Sequence, residues 1–330
     1  MFTEAILRKN PTLVKALTGV PDSEFWLWLQ QLEQQQPAYE QQRLQRPERQ
    51  RAFGGGRPFD QPLLLRVLAV LTYLRLHVPQ AVIALMFGCS QADVSRDLRR
   101  LLPLIQQTLP CPQVWQVRAE TQLIPESEQL VLSELSEGRV LVDATEQRVA
   151  RPQDHDTRKQ YYSGKKKQFT LKTQCVSDGQ HHIQAISTAE PGAMHDKALS
   201  DALQTLAHLP DQCEADADRG YQGLAKQVSL VTVREVQSGA EVQVPRLTVQ
   251  TPFKKPRGQE LTVEQKTFNQ QLNAIRVRIE HCIGWAKNWA ILATRFRCAH
   301  AIYTSVMQTV CGLVNWQTQR WQAKQAANCA

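Results

Sequence analysis

The segment "KQFTLKTQCVSDGQHHIQAIST" constrains the fold more than any other stretch of the chain. Two β-branched and apolar runs flank Asp178-Gly179, and an Asp-Gly pair between such runs marks a hairpin of antiparallel strands. Upstream, "GRVLVDATEQRV" is apolar up to Asp143 and then turns polar, which sets Asp143 at a strand's end. Downstream, "HDKALSDALQTLAHL" has the spacing of an amphipathic helix, and "EADADRGYQG" follows as a strand that runs into a Gly-Tyr turn. The order β-β-β-α-β predicts an α/β domain with a mixed sheet, placed here over residues 138–300.

The chain before it reads as all-α. "PDSEFWLWLQQLEQQQ" repeats Phe25, Leu29 and Leu32 at helical spacing after the cap candidates Asp22 and Ser23, within a helical segment over residues 1–40. Residues 41–60 carry Arg43, Arg46, Arg49, Arg51 and Arg57 around Gly54, Gly55 and Gly56, the composition of a flexible basic linker. Such an arm lies in a DNA minor groove in some proteins and is a solvated charge run in others. Over residues 61–110 a long apolar helix is followed by a short one from about Pro79 to Phe87, a turn at Gly88, and Ser90 placed to cap the next helix. There Val94, Leu98, Leu101 and Ile105 share one face and leave Gln91, Ser95, Arg96, Arg99 and Arg100 outside. This is the pattern of a helix-turn-helix, although an ordinary αα-hairpin has it too. In the first case Gln91 and Arg96 meet base edges, and Arg99 and Arg100 meet phosphates. Residues 111–137 read as a connector and 301–330 as a C-terminal helix.

Lysine plus arginine outnumber aspartate plus glutamate by 39 to 31, a net charge of +8. That favours a polyanionic partner such as nucleic acid, and it also suits a merely basic soluble protein. The eight cysteines are scattered without a C-x-x-C pair, and His281, Cys282, Cys298 and His300 fit no common zinc spacing. No zinc is expected. No apolar run of about 18 residues occurs and the start lacks an apolar core, so we expect a soluble protein of a reducing compartment with no membrane partner.

Three carboxylates stand where chemistry is possible: Asp143 and Asp218 at strand ends, and Glu280 on a helix from about Thr262 that sets Arg276, Glu280 and Lys287 on one face. Sequence-distant carboxylates that converge need cations between them, and an all-oxygen set suits Mg²⁺ or Mn²⁺. Taken singly, Asp143 is equally a turn cap, and Glu280 a surface partner of Arg276 or Lys287. Glu214, Asp216 and Asp218 share strand parity, so alternation alone does not choose among them.

"LVDATEQRV", "PGAMHDKALSDAL", "DADRGYQG", "TPFKKPRGQELTVEQKTFN" and "RVRIEHCIGWAKNW", in that order, resemble the catalytic domain of the insertion-sequence-five family of DDE transposases, related to the PIF/Harbinger group. "GGGRP" and the helix-turn-helix match that family as well. The resemblance implies a ribonuclease-H-like domain, a mixed five-stranded sheet flanked by helices. Its catalytic and metal-binding triad maps onto Asp143, Asp218 and Glu280, holding two Mg²⁺ or Mn²⁺ ions. Asp218 fills the family's aspartate before Gly-Tyr. The family's Tyr-Arg-Glu-Lys signature is met by Arg276, Glu280 and Lys287, with Asn273 in the tyrosine position. The implied partner is double-stranded DNA. The helix-turn-helix binds terminal inverted repeats, the ends are nicked, and the 3′ ends are joined to target DNA by transesterification.

Under this resemblance Arg276 and Lys287 meet the scissile or flanking phosphates. Lys165, Lys166, Lys167, Lys254, Lys255 and Arg257 grip the backbone, or are solvated charges, with Tyr161 and Tyr162 available for stacking. His195 and Asp196 brace the site from a helix start. The resemblance further implies a homodimer or larger assembly on DNA, in the cytoplasm of a bacterium and on its chromosome. Two rivals remain: a transposase-derived DNA-binding protein without transposition, and a nuclease that cuts without joining.

Overall fold

The computed structural model describes residues 2–45, 50, 58–119, 122–234 and 241–329. The chain forms two compact units: Met1–Cys111 with Ala286–Thr294 and Cys298–Ala330, and Pro112–Trp285 with Arg295–Arg297.

The first unit begins with α1 (Glu4–Lys9), α2 (Pro11–Thr18) and α3 (Asp22–Leu44). Phe25, Leu29 and Leu32 are buried along α3, as their spacing requires. Asp22 is the first residue of the helix rather than its cap, and its carboxylate accepts from the Trp26 indole N–H at 2.8 Å. Next come α4 (Leu63–Leu76), α5 (Gln80–Phe87) and α6 (Gln91–Gln106). Apolar on every side, α4 buries Leu63 to Leu74 almost without a break and forms the middle of the unit. The one cation in that stretch, Arg66, is buried against Asp97 of α6 in a two-pronged pair, Nη2 to Oδ1 at 2.6 Å and Nε to Oδ2 at 3.0 Å. Phe59 lies over the guanidinium at 3.5 Å. Gly88 ends α5 in the left-handed region at φ 68°, and Ser90 and Asp93 form a reciprocal capping box that starts α6.

The second unit is built on a sheet. Its elements are β1 (Gln113–Trp115), β2 (Arg139–Arg148), α7 (His155–Tyr161), β3 (Tyr162–Ser163), β4 (Gln168–Asp178), β5 (Ile183–Ser187), β6 (Glu190–Pro191), α8 (Asp196–Ala202), α9 (Thr205–His208), β7 (Glu214–Ala217), β8 (Leu230–Arg234), β9 (Glu241–Pro245), β10 (Thr248–Gln250) and α10 (Val263–Lys287). The main path runs β1-β5-β4-β2-β7-β10, and the two-residue strands β3 and β6 also pair with β4. The β2-β4-β5 meander is antiparallel, whereas β7 joins β2, β10 joins β7 and β1 joins β5 in parallel. Val140, Val142, Ala215 and Ala217 turn one face of the sheet to a core shared with Leu199 and Leu203. The first unit is completed by α11 (Ala290–Ala293) and α12 (Tyr303–Cys329).

Further expectations change. Asp143, read at a strand's end, lies inside β2, which stays paired with β4 from Val140 to Arg148. The sheet has six strands on its main path rather than five, because β1 extends it beyond β5. For the same reason residues 112–137 are not a mere connector: β1 joins the sheet, and Leu130 and Leu135 enter its core. The residues from Ala286 to Thr294, placed at the end of the catalytic domain, fold with the first unit. The helix read over "HDKALSDALQTLAHL" is two helices, broken where Gln204 turns left-handed at φ 53°. Between β7 and β10 lies a ribbon, β8 with β9, whose register sets Val231, Val233, Val242 and Val244 on one face.

Removing one partner of the buried Arg66–Asp97 pair strands the other charge. Arg66→Ala or Asp97→Ala should each destabilise the first unit by about 3–5 kcal/mol, and the double change to Met and Leu should recover most of it. Urea midpoints of the three proteins check this. A single variant at wild-type stability would contradict the assignment.

Candidate active site

The last registered pair between β2 and β7 is Val142 with Ala217, so Asp143 and Asp218 are the next residues of two neighbouring parallel strands. Their side chains share one sheet face. Asp143 accepts from the Ala144 N–H through Oδ1 at 2.7 Å, and Asp218 accepts from the Gly220 N–H at 2.6 Å as it caps the turn after β7. The third carboxylate to arrive is Asp196, the first residue of α8. A Cβ built on Gly220 would stand 2.7 Å from Asp196 Oδ2 and 2.8 Å from Asp218 Oδ1. Only glycine leaves both oxygens free to flank that point.

Burial pushes the Asp143 carboxyl up to about 6; the Ala144 hydrogen bond and the Arg276 guanidinium oppose this, and the charges of Asp218 and Asp196 add to it. Beneath lies Tyr221, fully buried, whose hydroxyl donates to Gln174 Oε1 at 3.4 Å. Its phenol is raised well above the usual value by burial and by those three carboxylates.

Cations neutralise part of this charge. Lys172 of β4, itself buried, meets Asp196 at 2.6 Å and Glu146 at 3.8 Å. Arg139 binds Asp216 at 2.6 Å and also pairs with Glu214. Of the three acids in "EADADRGYQG", therefore, two are held by Arg139. Asp218 forms no ion pair among the described residues. Arg276 is buried on α10 with Nη2 3.9 Å from Asp143, and its Nε has no hydrogen-bond partner among the described residues.

Glu280 is exposed one turn beyond Arg276, so the two diverge in burial although they share a helical face. Among the described residues no three His, Cys, Asp or Glu side chains are grouped to hold a metal ion. Asp143 and Asp218 are brought together; Glu280 is not gathered with them. Asn273, in the tyrosine position of the signature, is exposed. Lys287 closes α10 within the residues that fold with the first unit. His195 is the exposed cap residue of α8.

The basic candidates lie on turns and on α6. Lys165, Lys166 and Lys167 form the exposed turn from β3 to β4, with Tyr162 packed edge-on against Phe169. Lys254, Lys255 and Arg257 are exposed before α10, and Lys255 pairs with Glu260. On α6, Gln91, Arg96 and Arg99 are exposed and Ser95 and Arg100 half-buried, with Arg96 paired to Asp93. Arg57, together with Arg46, Arg49, Arg51 and the three glycines of the arm, lies outside the described residues.

Sequence reasoning missed Lys172 and Arg139. A lone lysine inside the apolar run "FTLKTQCV" was the available signal, since a buried lysine needs acids nearby.

Residues 142–315 match the family model described as DDE superfamily endonuclease, and residues 63–111 match the helix-turn-helix of DDE superfamily endonuclease. The chain is 27% identical over 265 residues to a probable transposase for insertion sequence element IS702 of Microchaete diplosiphon, covering 79% of this chain and 84% of the relative. No solved structure matches the chain. With its catalytic-domain match spanning more than half its length, the chain belongs to the DDE superfamily endonucleases.

Proposed function

We propose that the chain is a DNA transposase of the insertion-sequence-five type. The observation that carries this reading is the juxtaposition of Asp143 and Asp218, with Arg276 at 3.9 Å from Asp143 and no ion pair on Asp218 among the described residues, in a chain that also holds a matched helix-turn-helix. The strand order supports a ribonuclease-H-like core: leaving β1 aside, the path β5-β4-β2-β7-β10 is third, second, first, fourth, fifth in chain order. The basic balance of +8 supports a polyanionic partner.

The donor chemistry fits a hard divalent cation. Carboxylate oxygens are brought together at Asp143 and Asp218, Asp143 is raised by burial and by its neighbours' charge, and among the described residues no ion pair to either is closer than that of Arg276. Asp143 and Asp218 would hold Mg²⁺ or Mn²⁺, two ions in the full site, with Glu280 as the third carboxylate. For Glu280 the support is the family signature and its place one turn from Arg276. When bound, the ions activate an attacking water or 3′ hydroxyl and stabilise the leaving oxygen. Arg276 offers its Nε, which has no hydrogen-bond partner among the described residues, to a phosphate oxygen beside Asp143, which orients the phosphodiester. Asp196, held by Lys172, fixes the shape of the turn that presents Asp218.

Upstream, α6 enters the major groove with Gln91, Ser95 and Arg96 at base edges and Arg99 and Arg100 at phosphates. Arg57, the lysines of the β3–β4 turn, Lys254, Lys255, Arg257 and Lys287 grip the backbone. His195 and Asp196 brace the site from α8. Terminal inverted repeats are the bound sequence, and pairing two ends requires two active sites, hence a dimer or larger assembly on the bacterial chromosome. The chain has no helix long and apolar enough to cross a membrane among the described residues.

Incubation with a duplex carrying the DNA that flanks the coding region, a target plasmid and Mg²⁺ tests the reading: cleaved and joined products are expected. Cleavage without joining would leave a nuclease; specific binding without cleavage would leave a DNA-binding protein. Asp143→Asn and Asp218→Asn should each lower cleavage by about 100-fold or more, beyond the usual cost of changes outside the ligand set, while duplex binding persists. Glu280→Gln should do the same, and full activity there would remove Glu280 from the triad. Asp216→Asn separates the two aspartates of β7, since its effect should appear in stability rather than in metal dependence. Arg96→Ala should weaken binding to the ends more than binding to random DNA.

The carboxyl of Asp143 also predicts a pH dependence. Its folded value of about 6 lies above the ordinary 3.8, so the unfolded chain loses this proton first and stability falls as pH rises between those values. Asp143→Asn should therefore stabilise the fold by about 2–3 kcal/mol above pH 6 and by almost nothing near pH 4, and Mg²⁺ should raise the melting temperature of the wild type only. Thermal melts at the two pH values check this; a stability gain equal at both would contradict it.

A further inference from the structure

The turn after β4 and the last two turns of α10 hold three aromatic rings against one another. His181 and His281 lie nearly parallel, centroids 5.7 Å apart and 10° between planes, with a 3.5 Å hydrogen bond between His281 Nδ1 and His181 Nε2. Trp285 lies 5.1 Å from His181 at 34° and 6.1 Å from His281 at 25°. The turn is built to hold this arrangement. Asp178 Oδ1 accepts from the Gln180 and His182 N–H groups at 2.8 and 2.9 Å, and His181 between them adopts the left-handed conformation at φ 63°. Arg278 pins the turn to α10, donating from Nη1 to the Gly179 carbonyl at 2.8 Å. The rings are thus held by two anchored elements.

Core packing does not explain them. The buried row of α10 passes through Leu272, Arg276, Ile279, Cys282 and Ala286, whereas His281 is exposed and Trp285 is 38% exposed. A tryptophan left open to solvent beside two flat rings presents an exposed π surface.

We propose that His181, His281 and Trp285 form a stacking platform for an unpaired nucleobase of the DNA strand engaged at Asp143 and Asp218. This rests on the transposase reading above and adds to it a base-binding site. Every base has a π face, so such a platform takes strands of any sequence. The platform lies on the helix that presents Arg276 to Asp143. Along β4, from Cys175 opposite Asp143 to Asp178 at the turn, the chain advances about 10 Å, which about three nucleotides of a strand span. A base released from pairing near the cleaved phosphate can therefore reach the rings while its strand stays at the carboxylates.

The test uses the full chain as wild type, Trp285→Ala and Trp285→Phe, with labelled oligothymidylate and a blunt duplex of random sequence, read by fluorescence anisotropy over a salt series. Trp285→Ala should weaken oligothymidylate binding about tenfold, leave duplex binding within about twofold, and leave the salt dependence unchanged because no phosphate contact is lost. Trp285→Phe should restore most of the affinity. Equal losses on both DNAs, no loss, or a phenylalanine variant as weak as alanine each overturn the platform. So does a fall in sedimenting mass of Trp285→Ala with oligothymidylate binding intact, which would make the rings a protein contact. Melting curves exclude misfolding of this exposed position. Failure of the two readings is distinguishable: a wild type that neither binds duplex nor cuts removes both, whereas one that binds and cuts with no effect of Trp285→Ala removes the platform alone.

Discussion

Parallel pairing of β2 with β7 is the constraint on which the site depends. It sets Arg139 opposite Glu214 and Val142 opposite Ala217, and so brings Asp143 and Asp218 to the same level on one face. The same pairing places Glu214 and Asp216 on that face, and the charge of the buried Asp216 is costly there. Arg139 answers both of them, and Lys172 answers Asp196 and Glu146 from the neighbouring strand. Among the described residues, Asp218 has no ion pair and Asp143 only the long one to Arg276 at 3.9 Å. On the transposase reading proposed above, these two carboxylates, set among acids that Arg139 and Lys172 neutralise, are where a divalent cation would bind.

A second balance runs through the helical unit. Its central helix carries one buried cation, Arg66, and the pair with Asp97 ties that helix to the one that presents Gln91, Arg96 and Arg99. Tight packing on one side of α6 is what allows the other side to remain polar and uncommitted. Phe59 over Arg66 fastens the end of the basic segment to the same helix pair. The helix-turn-helix and the carboxylate site thus rest on separately packed frameworks, each with its own buried ion pair.

Much of this was legible in the chain. The hairpin at Asp178-Gly179, the turn at Gly88 and the cap at Ser90 are punctuated by residues whose backbone chemistry is local, and they lie where the sequence puts them. The parity of Glu214, Asp216 and Asp218 was visible as well, but not their separation, because Arg139 lies 75 positions from Glu214 and meets it only through strand pairing. For the same reason β1 passed as a connector: three residues, Gln113 to Trp115, carry too little pattern, and their partner β5 is distant. The break at Gln204 has no glycine or proline to announce it. Lys172 was hidden because its acids come from Glu146 and Asp196. The ring cluster was invisible because two of its members sit on α10 and the third in a turn a hundred residues earlier.

The central claim is that Asp143 and Asp218 together hold the divalent ion. Replacing Mg²⁺ with Fe²⁺ and generating hydroxyl radicals at the bound iron cuts the polypeptide beside its ligands. Fragments ending near residues 143 and 218 are predicted in the wild type, both suppressed by excess Mg²⁺ and both absent in Asp218→Asn. Cutting confined to other parts of the chain, or cutting at residue 143 that persists in Asp218→Asn, would contradict the account.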